Sequence, residues 1–133
     1  MNVGNFLTLY LISIPIFVVL DLLWLGVIAR DFYQTRLGHL LGDVVWLPAI
    51  IFYLVFLLGL TYFATYQAID TGLLRVALLG ALFGFFTYAT YDLTNHATMK
   101  DWPAVVTIVD IAWGTFLGGA VATASAIAYR LFQ

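Results

Sequence analysis

The stretch PAVVTIVDIAWGTFLGGAVATASAIAY, residues 103–129, decides the fold. It carries a single charged side chain, Asp110, and exceeds the roughly 20 residues of helix that a bilayer requires. Working outward, further apolar runs of the same kind cover about 5–29, 44–66 and 73–95. Lipid offers no water to backbone amides, so a spanning segment is a helix or part of a closed barrel. Unbroken apolar runs lack the alternation of barrel strands. The expected fold is therefore all-α: a four-transmembrane-helix bundle forming one integral membrane domain, residues 1–133. Composition agrees, because 64% hydrophobic and 9% charged residues leave too little charge to coat a soluble domain.

The connections are short. Residues 30–43 (RDFYQTRLGHLLGD) put Tyr33, Leu37, Leu40 and Leu41 on one helical face, which predicts a short interfacial helix between helices one and two. Gly38 and Gly42 weaken it. Turns are expected at 67–72 and 96–102, with Pro103 in the first turn of helix four and Trp102 as an interfacial anchor. The first run lacks a basic start and a small-residue cleavage site, so it reads as a retained helix. Arg30, Arg36 and Lys100 fall on one side against Arg75 and Arg130 on the other, too small a bias to set orientation.

The informative residues are the charges inside the runs. Asp21, Asp92 and Asp110 interrupt helices one, three and four. Helices one and three end on the side where helix four begins, so the carboxyls share a layer roughly 10–14 Å below one surface. A carboxylate at the centre of a membrane helix costs about 2.5–3.5 kcal/mol on insertion scales. Three at one depth are tolerable when they face the bundle interior and find partners or protons. Trp24 follows Asp21 at the spacing with which Trp113 follows Asp110, a weak internal echo of helix one in helix four. On helix three, Gly84, Tyr88, Tyr91 and Asn95 form a stripe with Asp92 beside it, and His96 caps that end.

The candidate site therefore comprises Asp92, Asp21 and Asp110 as catalytic carboxyls. Trp24, Arg30, Tyr88, Tyr91, Asn95, His96, Lys100 and Trp113 are the substrate-binding candidates, with Arg30 and Lys100 at the mouth. The plain alternative is that the carboxyls only hydrogen-bond neighbouring helices and hold the bundle together. Gly80-xxx-Gly84 and Gly114-xxx-Gly118 allow close helix approach, within the chain or in a homodimer; internal packing is favoured. The chain has no cysteine, which excludes disulfides and thiolate metal sites, and no nucleotide loop, HExxH or serine triad. Too few histidines remain for a haem or di-iron centre, so no metal is expected and the cofactor stays open. A net charge of −2 argues against nucleic acid. Membrane lipids are the expected partners.

The strings VLDLLWLGVIARDFY (19–33), YATYDLTNHATMKDWP (88–103) and VDIAWG (109–114) resemble an uncharacterised bacterial membrane family termed domain of unknown function 2177. The resemblance spans almost the whole chain. Tyr-Asp-Leu-Thr-Asn followed by Trp-Pro is its most specific element, Arg30, Phe32 and Tyr33 also fit, and His96 departs from the family's usual apolar residue. It implies a small multi-pass protein of the bacterial inner membrane, without an established activity. Three functions stay open. An enzyme or enzyme subunit of lipid modification would use Asp92 as general acid or base, tuned by Asp21 and Asp110. A binding or transport module would use the same layer for a solute or protons. A structural subunit would use it only to specify packing.

Overall fold

The computed structural model describes residues 2–133 and contains no strand among them. Helix α1 spans Val3–Leu23 and continues through a wider π-turn, Trp24–Ile28. Helix α2 spans Arg30–Leu37, α3 Trp46–Leu60 with a π-turn at Thr61–Tyr66, α4 Leu73–Thr98 and α5 Ala104–Leu131. Four of these helices, counting each π-turn with the helix before it, are long and apolar enough to cross a membrane. Their outer faces remain apolar: Val27, Leu47, Leu74 and Leu131 are all largely exposed. Exposed aliphatic surface on this scale suits lipid and would aggregate in water. The chain is thus an integral, multi-pass, all-α membrane protein.

Local chemistry accounts for the breaks. Asn2 caps α1 by accepting from the Asn5 amide. Pro15 sits inside α1 without ending it, as neighbouring helices allow in such proteins. Gly72 takes a positive φ of 123° before α4, a conformation that favours glycine. The interfacial helix is shorter than 30–43, because the chain leaves helix at Gly38 and runs irregularly from Leu41 to Val45. Helix α4 runs further than 95, to Thr98, so the turn before α5 is confined to Met99–Pro103 and turns at Asp101 (φ 59°). His96 therefore lies within the last turn of α4 and does not cap it.

The closest packing joins α4 to α5. A Cβ added to Gly84 would collide with the Gly114 carbonyl, and one on Gly118 with the Gly80 carbonyl. Only glycine permits that backbone approach. All four glycines are buried within one chain, so a homodimer would have to use another surface. Val121, Ala122 and Ala126 extend the seam, and Phe17, Leu57 and Leu60 close the core from α1 and α3. Tyr88 lies over Gly114, where an added Cβ would strike its ring. Above that point the seam gives way to larger, polar side chains.

Candidate functional site

A cavity of about 610 Å³ occupies that polar end of the bundle, reached by side chains from every helix. A larger groove of about 1080 Å³ runs outside α4 and α5, but no ionisable side chain lines it and it faces outward. The first is the candidate site. Asp21 and Asp110 stand on its wall, with Trp24, Tyr88, Tyr91 and Trp113; Arg30 and Gln34 of α2 line it near the surface. Leu37, Leu41, Val44 and Ala49 give its α2–α3 side an apolar rim.

The π-turn after Asp21 positions the first wall. Its extra residue per turn closes with an Ala29 amide to Trp24 carbonyl bond of 2.7 Å and re-aims the helix end. Trp24 then stacks face to face on Trp113, centroids 4.4 Å apart and planes 5° from parallel. The matched Asp–Trp spacings on α1 and α5 thus meet across the bundle as one aromatic pair. The Trp24 indole N–H donates to the Tyr33 hydroxyl at 3.0 Å, and that hydroxyl donates to an Asp110 carboxylate oxygen. Tyr33 comes from α2, so this bond ties the interfacial helix down over the cavity. Burial, and then the bond to Asp110, hold the Tyr33 phenol above its ordinary pKa of 10.0, which keeps it a donor.

The three carboxyls have different surroundings. Asp21, 6% exposed, lies beside the Tyr53 hydroxyl and the Trp113 indole, whose N–H stops short of hydrogen-bond geometry. Asp110, 9% exposed, faces the cavity and holds Tyr33. Asp92 is 0% exposed and is absent from the cavity wall. Neither of its oxygens meets a protein donor. Asp92 thus has no hydrogen-bond partner, whereas Asp110 has the Tyr33 hydroxyl. Of the three carboxyls expected in one layer, Asp21 and Asp110 line the cavity and Asp92 does not.

Three of the substrate-binding candidates lie elsewhere. Asn95 sits beside Tyr91 but off the cavity wall. His96 approaches Thr107 across the α4–α5 seam, Nδ1 to Oγ1 3.3 Å. Lys100 is exposed on the connecting turn and does not reach the cavity with Arg30. Trp102, expected as an anchor, lines the cavity, donates to Thr107 at 3.0 Å and meets Tyr91 edge-on. Tyr33, Phe52 and Tyr53 also line it. Tyr33 had a signal in the apolar face of 30–43; Phe52 and Tyr53 had none, being aromatic residues in an apolar run.

No curated protein and no solved structure matches the chain significantly. The family model described as predicted membrane protein (DUF2177) matches residues 6–127, nearly the whole bundle and every residue of the carboxyl–aromatic cavity. The chain belongs to that family of membrane proteins.

Proposed function

We propose that this protein binds a lipid-like amphiphile in the cavity and acts on it by acid–base chemistry, as an enzyme or as the substrate-binding subunit of one, in a bacterial inner membrane. One observation carries the reading. A partly open cavity of about 610 Å³ combines aromatic walls with two carboxyls, and a guanidinium lines it near the surface. That volume suits a ligand of moderate size. The walls of Trp24, Tyr53, Tyr88 and Trp113 suit an apolar body, and Arg30 suits an anionic head. The apolar rim of Leu37, Leu41 and Val44 supports entry from the bilayer.

Within this reading Asp110 is the group that meets substrate. It lies on the wall, whereas Asp92 is sealed behind it. Tyr33 orients its carboxylate through one oxygen, leaving other lone pairs for a substrate proton. Asp21 is the second carboxyl on the wall, placed to meet a polar group of the same ligand.

The test is a whole-lipid mass profile of cells lacking the chain, complemented with wild type or with Asp110→Asn. A lipid species that changes on deletion and returns only with wild type supports the reading. Identical profiles, with both proteins present in the membrane at equal amount, would overturn it.

A further inference from the structure

The ionisable side chains of the cavity are unevenly placed. Asp21 and Asp110, 6% and 9% exposed, line its inner wall. Arg30, the cation among the described lining residues, is exposed where the cavity meets the surface. Asp110 accepts from the Tyr33 hydroxyl, a neutral donor that leaves the carboxylate charge in place. A buried carboxylate without a cation is costly, so the inner wall lacks a positive group.

The aromatic residues supply a fitting enclosure. Four spans in sequence alternate in direction, so α1 and α5 are antiparallel. Trp24 and Trp113 stack with centroids 4.4 Å apart, and each follows its aspartate by three residues. The stack therefore has Asp110 one turn toward the surface and Asp21 one turn inward. Tyr33, from the interfacial helix, accordingly reaches Asp110. Tyr53 and Tyr88 add further rings to the same wall. Aromatic faces attract an organic cation through the ring quadrupole, and carboxylates attract it through charge. From the surface inward the lining runs guanidinium, carboxyl, aromatic pair, carboxyl.

We infer that the cavity takes a zwitterionic lipid headgroup ending in a primary amine: its phosphate meets Arg30, and its ammonium enters between Asp110 and Asp21 against the aromatic wall. The inference rests on the amphiphile reading above and names the headgroup. A primary ammonium brings three N–H donors to the open carboxyl lone pairs, whereas a quaternary one brings none. A hydroxylated head donates as well, but carries no charge to offset the two acids. Among the described residues, no three His, Cys, Asp or Glu side chains converge as metal ligands, so an organic cation suits the wall better than a metal ion. The guanidinium suits a phosphate through its forked donors. The rim of Leu37, Leu41 and Val44 then lies where the tails leave for the bilayer.

Binding of short-chain lipids to the purified chain in detergent, read by tryptophan fluorescence, tests the headgroup. Dihexanoyl phosphatidylethanolamine should bind at least about tenfold tighter than dihexanoyl phosphatidylglycerol, which keeps the phosphate and lacks the amine. Asp21→Asn should remove that preference without weakening phosphatidylglycerol, and Asp110→Asn should do the same, so either variant suffices if the other fails to fold. Equal affinity of wild type for the two lipids would overturn the proposal, and so would a preference that survives both substitutions. Phosphatidylcholine binding as tightly as phosphatidylethanolamine would overturn the primary amine. Free phosphoethanolamine binding as tightly as the lipid would overturn the lipid assignment. The whole-lipid profile decides the amphiphile reading separately: it can change while no headgroup preference exists, or stay flat while selective binding stands.

Discussion

The two ends of the α4–α5 pair are built on opposite principles. Toward Leu73 and Leu131 the helices meet through Gly80, Gly84, Gly114 and Gly118, backbone against backbone. Toward Thr98 and Ala104 the facing residues are Asp92, Asp110, Tyr88 and Trp113, and a cavity opens beside them. The difference teaches that one end fixes the geometry and the other uses it. Close packing needs no polar partner and leaves nothing to bind. The hollow end carries buried carboxyls that cost stability, tolerated because the glycine seam holds the helices in register.

Breaking the packed end should have the largest effect. Gly84→Leu puts a side chain where the Gly114 backbone lies, and backbone cannot yield as a flexible side chain does. A loss of about 3 kcal/mol or more is expected, read as thermal unfolding in detergent micelles. A variant as stable as wild type would show that the seam does not set the helix spacing. Tyr33→Phe attacks the hollow end by removing the bond to Asp110, and should cost about 2 kcal/mol. It should also loosen α2, which limited proteolysis at Arg30 and Arg36 would detect.

The same tyrosine predicts a pH dependence. Its folded-state pKa is raised above 10.0, so its contribution is fully present below pH 10. It is lost as pH climbs further, because the unfolded chain ionises first. Thermal stability should therefore fall less steeply above pH 10 in Tyr33→Phe than in wild type; equal slopes would place the tyrosine in water. Trp24→Ala is expected to cost about 1 kcal/mol through the lost stack on Trp113, with a larger effect on amphiphile binding than on stability. The smallest contrast is between cations. Arg30→Gln should weaken binding of an anionic lipid in nanodiscs severalfold, and Lys100→Gln should leave it unchanged. Equal losses would return Lys100 to the mouth of the site.

The helices and their number are legible in the sequence because burial in lipid is a property of each segment alone. Runs such as 103–129 need no partner to declare themselves. The acidic positions are legible for a similar reason: helical rise converts residue number into an expected depth for Asp21, Asp92 and Asp110. Rotation about each helix axis is different. Whether Asp92 faces the cavity or the neighbouring helix depends on how α4 seats against α5, which the glycine contacts set. The π-turn that brings Trp24 onto Trp113, the folding of Tyr33 over Asp110, and the cavity bounded by Phe52, Tyr53 and Trp102 also arise only when helices meet. The sequence by itself determined an all-α membrane bundle with aspartates in three of its helices. Tertiary packing decided which acid faces the cavity and which is buried behind it, because depth is local to one helix and facing is a relation between two.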